Sequence, residues 1–145
     1  MHGVIERIRA FPAKGQAGIE LIGGHLVKEQ GLDGDYHAKG GDRQVSLLFT
    51  KNRQKIENSK AKGLCLTRFR ENITIGGLDN AAAGTRIMIG DAVLEITEES
   101  KSCYKECSLY TRGENCPISS LNLFARVIQS GFINTGDRVS IAAEN

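Results

Sequence analysis

The chain has 145 residues, 40% of them hydrophobic and 25% charged, with a formal net charge of +2. That length suits one domain with a real core and is short for two. The charge is too small to argue for a nucleic-acid or membrane surface, and no apolar run approaches the roughly 18 residues that a membrane-spanning helix needs.

In chain order, the sequence reads as β-rich. Val4 to Ile8 is an imperfectly alternating strand that Phe11-Pro12 breaks. Gly18 to Lys28 is a second extended stretch, with Gly23-Gly24 marking a bulge or bend. Val45 to Phe49 is a short apolar run suited to a buried strand. Lys51 to Lys62, polar and poor in glycine and β-branched residues, predicts a helix with Thr50 as its cap and Gly63 at its end. Asn72 to Ile75 is strand-like, and Arg86 to Thr97 reads as two strands joined at Gly90-Asp91, a hairpin signal. Cys103 to Tyr110 predicts one or two helical turns. Leu123 to Ile128 and Arg138 to Ala142 close the chain as strands, with turns at Gly131 and Gly136-Asp137. Many short strands and one modest helix predict a barrel or sandwich and argue against a βαβ fold. No linker, repeat or low-complexity segment interrupts the chain, so one domain over residues 1–145 is expected.

Two loops carry chemistry. Gly31 to Leu48 reads GLDGDYHAKGGDRQVSLL, with Gly31, Gly34, Gly40 and Gly41 beside a histidine and two cations, Lys39 and Arg43. Glycines let backbone N–H groups approach a ligand closely, and an arginine adds a planar fork suited to phosphate or carboxylate. The alternative reading is a tight turn ahead of a strand. His37, two residues after Asp35, is either a satisfied loop histidine or a group that touches an anionic ligand or moves protons. The second loop, RFRENITIGGLD from Arg68 to Asp79, offers Arg70 and Asn72 as donors to a ligand's oxygens; otherwise its charges are solvated at a strand edge. One ligand bridging both loops would gather Gly34, His37, Arg43, Arg70 and Asn72 around one concavity.

The four cysteines are unevenly placed: Cys103, Cys107 and Cys116 cluster, and Cys65 sits apart between apolar neighbours, as a core residue would. The charged N-terminus, MHGVIERIRAFPAKG, lacks the apolar run of a secretory leader, so a cytoplasmic location is expected. Thiols stay reduced there, and clustered cysteines then signal metal or chemistry more often than disulfides. Three readings stay open: packing cysteines, a structural zinc with His25 or His37 as fourth ligand, or a reactive thiolate or soft-metal ligand. Lys105, Arg112 and Arg126 lie near enough in sequence to favour a thiolate, and molybdenum is a thiophilic metal that would suit it.

These segments together resemble the MOSC domain, the C-terminal domain of molybdenum cofactor sulfurases. GLDGDYH followed by RQVSLL is similar to the family's first signature, RENITIGGLD to its second and RIMIGDAVLEIT to its third hairpin. LFARVIQSGFINTGDRV is similar to its C-terminal signature, and the four occur in family order over nearly the whole chain. The resemblance implies a mostly antiparallel MOSC-type β-barrel, similar to the barrel domain of pyruvate kinase, with a few short helices. It implies binding of the molybdenum cofactor (molybdopterin) or carriage of sulfur as a persulfide. Cys116 stands where the family places its sulfur or molybdenum ligand, and Cys103 and Cys107 match its upstream pair. Gly34, His37, Arg43, Arg70 and Asn72 are then expected on the cofactor. Pyridoxal phosphate would come only through a partner cysteine desulfurase, the other expected partner being a molybdenum enzyme. The alternatives are a molybdenum oxidoreductase acting on N-hydroxylated substrates and a non-catalytic barrel with a structural zinc.

Overall fold

The computed structural model of the protein describes residues 2–13, 15–51, 71–78, 81–98 and 123–142. The strands are β1 (His2–Ala10), β2 (Ile19–Leu21), β3 (Gly23–Val27), β4 (Gly31–Leu32), β5 (Val45–Phe49) and β6 (Ile73–Gly76). They continue as β7 (Arg86–Ile89), β8 (Ala92–Glu98), β9 (Leu123–Gln129), β10 (Gly131–Asn134) and β11 (Arg138–Ile141). The main sheet runs β11-β7-β8-β9-β5-β6-β1 and closes through a β1–β11 pairing, which makes a seven-stranded barrel. β2 adds to the far half of β1, and β10-β3-β4 form a second small sheet. Among the described residues, all pairings are antiparallel except β5 with β6, which are parallel and so cannot be joined by a tight hairpin turn.

β1 shows why its sequence alternates badly. Its pairing with β6 shifts between Ile5 and Arg7, so Glu6 is the extra residue of a bulge. A bulge resets which face a strand presents. Ile5, Ile8 and Ala10 therefore all turn inward and are buried, although strict alternation would separate Ile5 from Ile8. Closure also needs β1 to be long: residues 2–4 pair with β11, and residues 8–10 pair with β2.

The barrel interior is apolar and mostly aliphatic. Val45, Leu47 and Phe49 of β5 meet Ile73 and Ile75 of β6, Leu94 and Ile96 of β8, and Val127 of β9 in one continuous core. The outward residues of β5, Ser46 and Leu48, are buried too, so the strand reads as an unbroken apolar run. The small sheet contributes Leu26, Leu32 and Ile133 to the same core. It is stitched to the barrel where Val127 O accepts from Glu29 N at 2.9 Å.

Two sequence expectations need correction. The bend in the second extended stretch falls at Ile22, and the halves it separates belong to different sheets. Gly131 opens β10 and is not a turn; a side chain there would collide with Ala92 N, at 2.5 Å from the Cβ position. The helix expected from Lys51 is entered at Thr50 and Lys51, and its remainder lies outside the described residues, as do the turns expected over Cys103 to Tyr110. Among the described residues, no helix is long and apolar enough to cross a membrane.

Candidate functional site

One end of the barrel brings together the end of β1, the glycine-rich loop, the starts of β5 and β6, and the β8–β9 pair. The registers require it: Ile8 pairs with Ile73, Val45 with Ala125, and Glu98 with Phe124. The chain leaves the described residues just past Glu98 and re-enters them at Leu123, so both ends of the cysteine-bearing stretch belong to this end.

At its centre is the buried carboxylate of Asp35. Oδ1 accepts from Phe11 N at 2.8 Å and from Asn72 Nδ2 at 3.0 Å. Oδ2 accepts from His37 N at 3.0 Å and from His37 Nδ1 at 3.2 Å. Burial alone would push this carboxyl up; the hydrogen bonds from the His37 ring, the Phe11 and His37 N–H groups and the Asn72 amide outweigh it and hold the group below its ordinary value. An ionised carboxylate only accepts hydrogen bonds, so Nδ1 of His37 carries the hydrogen and Nε2 is the nitrogen turned away from Asp35. The His37 side chain is 41% exposed, and its ring lies 3.8 Å from that of Tyr36.

Asn72 ties this carboxylate to the barrel. Its amide also donates to Arg9 O at 3.0 Å, and its oxygen accepts from Ser46 N and Ser46 Oγ at 3.0 and 3.1 Å. A primary amide has two donors and one acceptor oxygen, and all are engaged within the protein. Asn72 is thus a brace between β1, β5, β6 and the loop, with both amide donors engaged by protein acceptors. Its neighbour Glu71, which the alternative reading of this loop would solvate at a strand edge, is fully buried and ion-paired with Arg9, with Thr74 Oγ1 at 3.4 Å.

The loop itself is pinned at its base. Gly31 has φ 141°, and a Cβ there would stand 2.7 Å from Gln44 O, so the two feet of the loop touch. Gly34 has φ 91° with nothing within 4 Å of its Cβ position. It is exposed, and the approach to the backbone there is open.

Arg43 is exposed and its guanidinium lies 4.8 Å from the centre of the Phe124 ring, a cation–π distance. Next to it, the buried Gln44 accepts from Val127 N at 2.9 Å and donates to Gly41 O at 2.8 Å. The Thr97 hydroxyl faces both Asp42 O and Phe124 O, the latter at 3.2 Å. Lys39 is exposed.

Of the expected site residues, Gly34, His37, Arg43 and Asn72 fall at this end of the barrel. Arg70, Cys103, Cys107 and Cys116 lie outside the described residues, as does Cys65. Arg70 immediately precedes Glu71, whose position is described. Arg126, expected to favour a thiolate, is engaged by Glu95, 3.7 Å away, which Arg86 also approaches at 3.3 Å. His25 stacks on Phe132 at 4.3 Å. Among the described residues, no group of three His, Cys, Asp or Glu side chains is disposed to hold a metal. Asp35, Arg9, Gln44 and Thr97 were not legible as site residues. The nearest signal was the Asp-x-His spacing beside a glycine.

The family model of the MOSC domain matches residues 33–140. No curated protein matches the chain. Among solved structures, the chain is similar to the YuaD protein of Bacillus subtilis, with TM-score 0.70 and 15% identity, over 100% of this chain and 98% of that one. It is similar to YiiM of Escherichia coli, with TM-score 0.62 and 17% identity, over 100% and 71% of the two chains. It is also similar to YiiM of Geobacillus stearothermophilus, with TM-score 0.60 and 15% identity, over 97% and 73%. At these identities the likeness is one of fold.

Proposed function

Because the chain belongs to the MOSC domain family, a family associated with molybdenum-cofactor handling, we propose that it binds that cofactor or carries sulfur for it on Cys116. The supporting observation is the convergence at one barrel end of the Arg43 and His37 loop with the two ends of the cysteine-bearing stretch. A pterin phosphate is matched by an exposed, aromatic-backed arginine and by open backbone at Gly34. Of the buried carboxylates there, Glu71 is paired with Arg9, and Asp35 is turned to protein donors.

In this reading Arg43 and Arg70 engage the phosphate, with the loop backbone at Gly34. His37, steadied by Asp35, presents Nε2 to the ligand as a hydrogen-bonding or proton-moving group. Asn72 keeps Asp35 in place. Cys116 supplies the thiolate, either as a persulfide or as a metal ligand, with Cys103 and Cys107 as further candidate metal ligands. The cofactor, when bound, supplies the redox-active metal. A sulfur-carrying role calls for a cysteine desulfurase, which brings its own pyridoxal phosphate, and a cofactor-carrying role for a molybdenum enzyme.

The test is metal analysis with fluorescence assay of extracted pterin, on protein purified anaerobically from a host that makes the cofactor. Molybdenum together with pterin supports cofactor binding. A cysteine persulfide without metal supports the sulfur-carrying form. Zinc alone, near one per chain, sinks both and leaves a zinc-stabilised barrel.

A further inference from the structure

We infer that Thr97 and Gln44 are positioning residues that hold Arg43 in its anion-facing pose before any ligand arrives; the inference rests on the reading of Arg43 as an anion-binding group. Arg43 sits between two pinned neighbours. Before it, the Asp42 carbonyl accepts from the Thr97 hydroxyl, which also faces Phe124 O. After it, Gln44 bridges Val127 N and Gly41 O.

Both anchors are built from departures from regular pairing. The β8–β9 register shifts between Ile96 and Glu98, so Thr97 is the extra residue of a bulge. Such a residue is re-aimed out of the ladder, and here its hydroxyl reaches the loop. On the other side, β5 pairs Val45 with Ala125, and continuing that register would set residue 43 opposite Val127. The Gln44 side chain takes the Val127 N–H in place of main chain. The loop can then turn away toward Gly41 without leaving a buried donor unsatisfied. Phe124, on the strand that both anchors grip, backs the guanidinium.

An exposed arginine otherwise samples many rotamers, and binding would have to order it. Holding its backbone on both sides and its face on a ring removes much of that ordering beforehand. Gln44 is fully buried with both ends of its amide engaged, so its effect on a ligand passes through Arg43.

Solution NMR of the free protein reads the pose directly. A guanidinium held over a ring gives upfield-shifted Arg43 side-chain signals, and Phe124→Leu identifies them. Thr97→Val keeps the side-chain shape and removes the hydroxyl. It should return those signals to ordinary values, as should Gln44→Met, while Thr97→Ser should keep them shifted. In titrations with inorganic phosphate, Thr97→Val and Gln44→Met should weaken binding about two- to tenfold. Neither should weaken it further when Arg43 is already alanine. Ring-shifted Arg43 signals that survive both Thr97→Val and Gln44→Met, or losses that add fully to that of Arg43→Ala, overturn the proposal. If Thr97→Val abolishes the ring shifts but wild-type protein binds no phosphate, the positioning stands and the anion-binding reading of Arg43 falls.

Discussion

Asp35 and Asn72 show how much a buried polar pair can organise. The Asp35 carboxylate accepts four hydrogen bonds from three residues, and its pKa is lowered by them against the opposing effect of burial. A lowered folded-state pKa means that the unfolded chain takes up the proton first as pH falls. The stabilisation is complete above the ordinary aspartate value of about 3.9 and drains away as pH drops through the folded value. Asp35→Asn should therefore destabilise by about 1.5–3 kcal/mol at neutral pH, and the gap from wild type should narrow at pH 3. Urea unfolding at both pH values checks this; an equal gap at both would mean that the charge is not what matters. Arg43 and Lys39 offer a second contrast at this scale. Both are exposed, but only Arg43 lies over a ring. Arg43→Ala should lower affinity for extracted pterin cofactor by about 1.5–3 kcal/mol, and Lys39→Ala by much less. Equal losses in calorimetric titration would reduce Arg43 to a structural residue of the loop.

Among the elements, irregularities are what build the site. β1 bulges at Glu6, β8 bulges at Thr97, and β5 is preceded by Gln44, whose side chain imitates main chain. Periodicity made β5 and the β7–β8 hairpin legible, because their residues stay in register. It blurred β1, where the bulge puts Ile5 and Ile8 on one face. It missed β10, where Gly131 is a glycine for close approach to Ala92 and not for a turn. The glycine-rich loop is the element whose geometry is most exacting. Gly31→Ala must strain a left-handed backbone and push against Gln44 O, so it should cost about 1–3 kcal/mol. Hydrogen exchange should show faster opening of the loop amides, including that of His37, with β7 and β8 unaffected. Uniform acceleration across the barrel would mean instead that the loop is part of the folding core.

For the whole molecule, closure of the barrel makes neighbours of segments far apart in the chain. Phe11, Asp35 and Asn72 are joined by hydrogen bonds, and Glu98 pairs with Phe124 across the cysteine-bearing stretch. If this end of the barrel is where the ligand binds, Cys116 should be the working thiol and Cys65 inert. A pH series of alkylation read by mass spectrometry should rank Cys116 first in cofactor-free protein, and bound cofactor should protect it. A lead by Cys103 or Cys107, with Cys116 unprotected, would move the ligand role to the upstream pair.

The β-rich character, the buried β5 strand, the family resemblance and the clustering of candidate residues in the glycine-rich loop were all determined by the sequence itself. Each depends on local pattern or on short-range spacing. Only the tertiary structure decided that Asn72 braces β1 against the loop, that Glu71 is buried against Arg9, and that Gln44 and Thr97 flank Arg43 with anchors. A polar residue in a sequence carries no mark of whether water, ligand or protein will satisfy it. That is settled when strands from distant parts of the chain close and bring its partners within hydrogen-bonding distance.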